Sequence, residues 1–316
     1  MSTDFSKEDV IQNKKHAIKK LNSMLEGFIN DPSGQRLKKA NLLSYWIKDY
    51  VRMLSFEETF DPKKNIAYKR GDIVKLNFGF NIGSEYGGLH YAIVINNKNP
   101  HSSSVVTVIP LTSQKNNNST HPNDVELGNE LYRNLKLKYD TIAQQVQAEE
   151  EEISKTLGLF DTLMKAVDEN LSVPDNSPKS SDATKAARTY LEIAKDLKNE
   201  WEKKSEQNKL KTIQLNKIKA EIEQMKTGSI ALVDQITTIS KIRIYDPRNA
   251  YGVLSGIRLS PESLDKINNK IKTRLQNLLY LRDFEKLFSS STVIAIFSFL
   301  KLKKMRASKK RKATIP

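Results

Sequence analysis

The fold of this chain is decided by residues 69–97, which read KRGDIVKLNFGFNIGSEYGGLHYAIVINN. The runs Gly71–Phe80 and Tyr91–Asn97 are short, apolar and rich in β-branched residues, which is typical of strands. Between them stands GSEYGGLHY, with three glycines in the six residues 83–88. Glycine loses more backbone freedom on folding than other residues do, so a loop of this composition has a specific reason to be small.

Strand patterns recur twice further along the chain. SSVVTVIPLTS at residues 103–113 and HPNDVELG at 121–128 continue the first set, and TGSIALVDQITTISKIRI at 227–244 forms a second. Apolar residues at helical spacing fill the interval, from Asn129 to Leu171 and from Ala187 to Met225. Two helices of roughly 40 residues, each about 60 Å long, predict an antiparallel coiled-coil arm inserted through a surface loop of the strand region.

Helical spacing also marks both ends of the strand region. Residues 1–60 predict two amphipathic helices that pack on the strands, and SPESLDKINNKIKTRL predicts a closing helix in which Ser260 caps and Pro261 comes first. The predicted organisation is a helical extension, 1–60; a strand domain, 66–128 with 227–283; an inserted arm, 129–226; and an apolar segment with a basic tail, 284–316.

Composition limits the functions that need considering. The formal net charge of +15 predicts attraction to nucleic acid, unless the lysines only maintain solubility. The chain has no cysteine and four scattered histidines, so neither thiolate ligands nor a zinc site is predicted. The longest apolar run, Ser291–Leu300, is about half the roughly 20 residues of a membrane span. With no apolar signal segment at the N-terminus, a cytoplasmic location is expected.

Joined across the arm, residues 69–114 and 228–275 resemble the MazF/PemK (Kid) toxin family. The resemblance lies in Arg70-Gly71-Asp72, in the glycine loop, in Pro110-Leu111-Thr112-Ser113, and in Asp234-Gln235 followed by Thr238-Ile239. It implies an α+β fold: a small SH3-like β-barrel, here with N-terminal helices and an inserted long antiparallel helical hairpin. It also implies an endoribonuclease that needs no metal or cofactor. Such enzymes cut single-stranded RNA to 2′,3′-cyclic phosphate and 5′-hydroxyl ends, act as homodimers and are paired with an antitoxin protein.

The resemblance gives the glycine loop a role in substrate binding. In the family this loop lies over the RNA-binding face, so Gly83, Gly87 and Gly88 would let a sugar–phosphate backbone approach closely. Ser84 and Glu85 would then offer polar contacts to it. The alternative is an ordinary hairpin with demanding turns. Arg70, just before the first strand, would be a supporting contact.

His90 stands where the family usually has an arginine that stabilises the scissile phosphate. A histidine can act as the base for the 2′-hydroxyl or as the acid for the leaving 5′-oxygen, but it supplies less positive charge. Lys69, Arg70 or Lys75 would then have to compensate. The alternative is that His90 is not catalytic and the domain cleaves poorly.

The remaining candidates lie at the ends of two strands. Thr112 matches a family threonine whose hydroxyl can donate to a phosphate oxygen, with Ser113 beside it. Asp234 matches an acidic position used for acid–base work in Kid-like members, with Gln235 next to it as a substrate contact. The arginine that accompanies this acid in those members aligns with Leu232 and is absent. The alternative for Asp234 is a buried, hydrogen-bonded carboxylate.

A second class of function remains open from the sequence. The domain would be a weakened barrel that binds nucleic acid or protein, with the arm as an interaction or regulatory module. RNA cleavage in the presence of EDTA would separate the enzyme from the binder.

Overall fold

The computed structural model describes residues 5–114, 121–172 and 180–278. Their helices and strands are, in chain order, α1 Lys7–Ile29, α2 Leu37–Ser55, β1 Ile73–Asn77, β2 Leu89–Val94, β3 Val105–Ser113, β4 Asp124–Gly128, α3 Glu130–Leu171, α4 Ser180–Gln224, β5 Ser229–Leu232, β6 Thr237–Ser240, β7 Ile244–Asp246 and α5 Pro261–Leu278. None of the helices in this described part is long and apolar enough to cross a membrane. The predicted apolar segment and basic tail at 284–316 lie outside the described residues.

Strands from both sides of the arm build one seven-stranded antiparallel sheet. Its order is β4-β5-β3-β2-β1-β7, and β6 also pairs with β3. The fold is therefore mixed α and β, as the sequence predicts. Among the described strands the pairings run from β4 to β7 and do not join these two ends. The sheet is thus an open path, and the barrel closure implied by the resemblance is not part of the observed pairing.

Alternation along the strands gives the sheet two apolar faces, because successive side chains point to opposite sides. Val74, Ala92 and Val108 belong to a core shared with β6 and β7. Ile73, Ile93 and Ile109 belong to a second core, which lies against the helices. Both faces are covered, which explains the nearly continuous apolar runs in the sequence.

The arm is rooted in the second core. Leu131 and Leu135 near the start of α3, and Ile218 near the end of α4, are fully buried there. The helices run antiparallel, since Lys204 pairs with Glu152 and Lys211 with Glu149. The two long helices predicted from the sequence are therefore present.

A buried carboxylate joins the arm to the closing helix. Glu130, the first residue of α3, accepts hydrogen bonds from the backbone of Ser260 and from the hydroxyl of Ser263. The Ser260 hydroxyl accepts from the Ser263 backbone at 3.2 Å, so Ser260 caps α5 as predicted. The root of the arm is thus held at a fixed place on the sheet.

The N-terminal helices differ from the sequence expectation. α1 begins with a capping box between Ser6 and Asp9 but buries none of its residues. α2 reaches the rest of the molecule mainly through polar and aromatic side chains: the Tyr245 hydroxyl donates to Asp49 at 2.6 Å, and the Arg243 guanidinium lies 5.2 Å from the Trp46 ring. The predicted packing of both helices on the strands is therefore wrong for α1, whose amphipathic spacing does not reveal what its apolar face touches.

Candidate functional site

The glycine loop between β1 and β2 folds back on its own backbone. The Gly88 amide donates to the Gly79 carbonyl at 2.7 Å, and Gly88 has a φ of +89°. A Cβ at Gly87 would stand 2.8 Å from the same Gly79 oxygen. Both residues are therefore required to be glycine by the loop itself. Gly83 also has a positive φ, +64°, and faces open space.

His90 and Thr112 lie on the same face of two neighbouring strands. β2 pairs with β3 through Ala92↔Pro110, Ile93↔Ile109 and Val94↔Val108. Continued by two residues, this register sets His90 opposite Thr112. Residues directly opposite each other in an antiparallel pair have side chains on the same side of the sheet.

Tyr86 fills the space between these two side chains. Its ring lies 4.6 Å from the His90 imidazole, centroid to centroid. Its hydroxyl donates to the Leu111 carbonyl at 2.7 Å. Burial raises the pKa of Tyr86 to about 12, partly offset by a side-chain hydrogen bond with Thr112. Tyr86 therefore stays neutral and positions its two neighbours.

Burial also acts on His90. It lowers the pKa of the imidazole below its usual 6.5, because the charged form loses hydration, while a backbone hydrogen bond at Gly87 acts in the opposite direction. The neutral imidazole therefore predominates near neutral pH, and this is the form that can accept a proton.

A cavity of about 260 Å³ opens where β2 begins and β3 ends. Its lining includes His90, Thr112 and Ser113, together with Lys75 of β1 and Lys226, which follows α4. The strand registers place the side chains of Lys75 and Ser113 on the opposite face of the sheet from those of His90 and Thr112. The last turn of α4 and the residue after it supply Gln224 and Met225 to the same wall. The root of the arm is thus part of this site, which we call the His90 cavity.

One of the two cations is already paired. The Lys75 ammonium lies 2.5 Å from the Glu221 carboxylate of α4, and the Tyr91 hydroxyl donates to the same oxygen. Lys75 and Tyr91 are partners across β1 and β2. Burial, and then the Glu221 carboxylate, raise the pKa of Tyr91. The pair joins the arm directly to the edge of the His90 cavity.

Asp234 lines a different cavity. This second cavity, of about 490 Å³, is lined by Asp234, Gln235, Glu85, Arg243 and Tyr86, among others. The Asp234 carboxylate pairs with Arg274 of α5 at 2.7 Å and accepts from the Asn123 amide at 2.9 and 3.1 Å. Arg274 thus places a positive charge beside Asp234, although the family arginine that aligns with Leu232 is absent from the sequence. His121 lies 3.4 Å from the same carboxylate.

A family model now matches the part of the chain that holds this geometry. The model described as PemK-like, MazF-like toxin of type II toxin–antitoxin system matches residues 69–173, which is 105 of the 316 residues and includes β1 to β4 and α3. Residues 69–173 are thus similar to PemK-like, MazF-like toxins of type II toxin–antitoxin systems. The resemblance read from the sequence is therefore confirmed for its first segment, whereas the segment 228–275 lies outside the matched range. Comparison with curated proteins gives no match.

The predicted loop contacts have partners in the protein. The Gln235 amide accepts from the Tyr86 backbone at 3.3 Å and donates to the Ser84 carbonyl at 3.5 Å. Glu85 accepts from the Ile82 backbone at 3.2 Å. Gln235 thus holds the glycine loop in place through hydrogen bonds to its backbone.

Arg70 lies elsewhere on the PemK/MazF-like domain. Its guanidinium donates to the Ile95 carbonyl and to the Asn268 side chain of α5. It is not among the residues that line either of the two cavities. Of the three cations considered as substitutes for the missing family arginine, Lys75 is the one at the His90 cavity.

Three residues of the site could not be assigned from the sequence. Tyr86 lies inside the glycine loop and looked like a loop residue, although an aromatic residue between Gly83 and the pair Gly87-Gly88 was a usable signal. Lys226 and Glu221 belong to the arm, more than a hundred residues beyond His90 in the chain, and no local pattern connects them with it.

Proposed function

We propose that the protein is a toxin of the PemK/MazF type that cleaves single-stranded RNA at the His90 cavity. The observation that carries the proposal is the position of His90 and Thr112, opposite each other on one face of β2 and β3 within the family-matched residues. This pairs a base with a hydroxyl donor, two of the groups that transesterification of a phosphodiester uses.

The chemistry follows from the protonation state of each group. The neutral His90 imidazole takes the proton of the 2′-hydroxyl, and the 2′-oxygen forms a bond to phosphorus. The bond from phosphorus to the 5′-oxygen breaks, and that oxygen takes up a proton from water. Thr112 donates a hydrogen bond to a non-bridging oxygen and stabilises its negative charge. The products are a 2′,3′-cyclic phosphate and a 5′-hydroxyl, and the step requires neither metal nor cofactor.

Asp234 has a supporting role in this proposal. Its carboxylate is held by Arg274 and Asn123 and lines the second cavity rather than the first. Ser84, Glu85 and Gln235 border the same second cavity or its loop, where the RNA strand would continue beyond the scissile phosphate. The loop carries no side-chain bulk at Gly83, Gly87 and Gly88, so the RNA backbone could approach it closely. Arg70 secures β1 to α5.

The remaining features of the proposal follow from the family. A toxin of a type II system implies an antitoxin protein as partner, a homodimer and action on cellular RNA in the cytoplasm. The small SH3-like barrel implied by the resemblance stays a prediction for the strand domain, residues 66–128 with 227–283. The arm, 129–226, and the N-terminal helices, 1–60, are then additions to that unit.

The test is cleavage of mixed-sequence single-stranded RNA by the purified full chain in EDTA, with the product ends mapped. We expect discrete fragments with cyclic phosphate and 5′-hydroxyl ends. His90→Ala and Thr112→Ala should each lower the cleavage rate by about 10²-fold or more and relieve growth inhibition on expression. His101→Ala, at an exposed histidine in the loop after β2, is the matched control and should retain the activity.

A binding function is the second candidate, and it is favoured by the pairing of Lys75 with Glu221. A cation that is already neutralised is poorly placed to stabilise a transition state. Retarded RNA without cleavage in the same assay would establish the binder. Unchanged toxicity of both the His90 and Thr112 variants would remove the site assignment.

A further inference from the structure

The helix α2 packs on the residues with which the glycine loop begins. A Cβ at Gly79 would stand 3.2 Å from the Trp46 ring of α2 and 3.4 Å from the Arg243 guanidinium. The same guanidinium lies 5.2 Å from the Trp46 ring and donates to the Phe78 carbonyl at 3.1 Å. Arg243 is therefore held both by an aromatic ring of α2 and by the backbone at the start of the loop.

Phe78 and Gly79 close the loop against its other end. The Phe78 amide donates to the Gly88 carbonyl at 2.8 Å, and the Gly88 amide donates to the Gly79 carbonyl at 2.7 Å. Gly79 has a φ of +102°, which glycine adopts without steric strain. His90 follows Gly88 by two residues. A displacement of Phe78 and Gly79 would therefore pass through two hydrogen bonds to the backbone that carries the imidazole.

Stacked rings connect the same two points. The Phe78 ring meets the Tyr86 ring edge-on, with 5.4 Å between the centroids. The Tyr86 ring in turn lies 4.6 Å from the His90 imidazole. The position of His90 thus depends on Phe78 through both the backbone and the side chains.

A polar contact fixes α2 at this place. The Asp49 carboxylate, three residues after Trp46, accepts from the Asn77 amide group at 3.4 Å and from the Tyr245 hydroxyl at 2.6 Å. The Asn77 side-chain oxygen accepts from the Gly79 amide at 2.9 Å. Since α2 lies outside the family-matched residues 69–173, this support of the loop is an addition of this chain.

We propose that Trp46 is a positioning residue for His90, so that α2 determines how well the base is placed for RNA cleavage. The proposal rests on the proposed function for the role of His90. Trp46 does not touch the reacting atoms, because it acts by keeping Arg243 on the Phe78 carbonyl. Without the indole ring, a gap opens beside Gly79, the loop loosens, and water reaches the imidazole.

The first test follows His90 directly and needs no RNA. The full chain is labelled with histidine carrying carbon-13 at Cε1, and the His90 signal, assigned with His90→Ala, is titrated by NMR. Burial holds the pKa of His90 below 6.5, and Tyr86, the titratable group whose ring contacts it, stays neutral. Trp46→Ala should raise this pKa by about 0.5 toward 6.5, because the charged imidazole regains hydration.

The matched control is Tyr45→Ala, on the same helix. Tyr45 is 58% exposed, and its ring lies 4.3 Å from the Lys48 ammonium of α2. Its removal also takes an aromatic ring from α2 but leaves the contact with Gly79 intact. The pKa of His90 should therefore stay within about 0.1 of the wild-type value.

The second test separates placement of the base from substrate binding. With single-stranded RNA, Trp46→Ala should lower kcat by about tenfold and leave KM within about twofold, because the loss falls on the geometry of the chemical step. Trp46→Phe keeps a ring beside Gly79 and should bring kcat back to within about threefold of the wild type. Arg243→Met removes the donor to Phe78, so it should raise the pKa of His90 as Trp46→Ala does, and the double variant should raise it no further.

The outcomes separate this inference from the proposed function. Melting temperatures establish that each variant is folded, and Trp46→Leu replaces Trp46→Ala if the latter does not fold. An unchanged His90 pKa in the folded Trp46 variant, or an equal change in Tyr45→Ala, overturns the positioning role. A raised pKa in a protein that leaves RNA intact contradicts the nuclease and supports the positioning role. Cleavage by the wild type, with kcat and the His90 pKa both unchanged in the Trp46 variant, supports the nuclease alone.

Discussion

The His90 cavity and the second cavity contain similar residue types but differ in what those residues are free to do. In the His90 cavity the imidazole is neutral and Thr112 and Ser113 offer hydroxyls. In the second cavity the Asp234 carboxylate already binds Arg274 and Asn123. A polar group can act on a substrate only with hydrogen-bonding capacity that the fold has not used, so we assign the chemistry to the first cavity.

The largest expected effect comes from removing one hydroxyl from each cavity. Thr112→Val keeps the shape of the side chain and should lower kcat by about 10²-fold, because a donor to the charged transition state is lost. Thr237→Val makes the same change in the second cavity, which Thr237 lines, and should change kcat by less than about twofold. Single-turnover cleavage of a defined RNA measures both. Equal losses would mean that both cavities take part in the chemical step.

The next effect is a pH dependence that belongs to the His90 cavity alone. Burial lowers the pKa of His90 below 6.5, so the base form persists to mildly acidic pH. The ratio kcat/KM should be flat around neutrality and fall by about tenfold per pH unit once the pH drops below the lowered pKa. The profile is measured by initial cleavage rates at constant ionic strength. An acidic limb centred above 6.5 would contradict the role of His90 as the base.

The same contrast explains which parts of the molecule could be predicted from sequence. The strand runs around Ile73, Ile93 and Ile109 are continuously apolar, so both the strands and the helical arm inserted after β4 could be predicted. His90 and Thr112 could be found because short motifs mark them. The pairing of Glu221 with Lys75 could not be predicted, because it depends on how the end of α4 packs on β1, which is a tertiary contact. α1 shows the reverse failure, since its clear helical pattern does not tell what its apolar face packs against.

Asp234 was chosen from the sequence because it matches an acidic position of the family, and it shows the limit of that approach. The prediction of an acid–base role concerned a carboxylate with an unknown environment. The structure gives it an arginine from α5, Arg274, and an amide from the segment before β4, Asn123. Neither partner lies near it in sequence. A group with these partners stabilises the attachment of α5, and this gives the smallest expected effect on catalysis.

Asp234→Asn should therefore change stability more than activity. The substitution leaves Arg274 without its counter-ion, while the guanidinium keeps its 2.9 Å hydrogen bond to the Val233 carbonyl. Since both side chains are a little over a quarter exposed, we expect a loss of about 1–2 kcal/mol in the free energy of unfolding, measured by urea denaturation. The value of kcat at a temperature where the variant is folded should remain within about threefold, because the carboxylate does not line the His90 cavity. Asp265→Asn, at an exposed carboxylate on the same α5, is the matched control and should change neither quantity. A hundredfold loss of kcat with unchanged stability would return Asp234 to the reaction and would make the two cavities one active site.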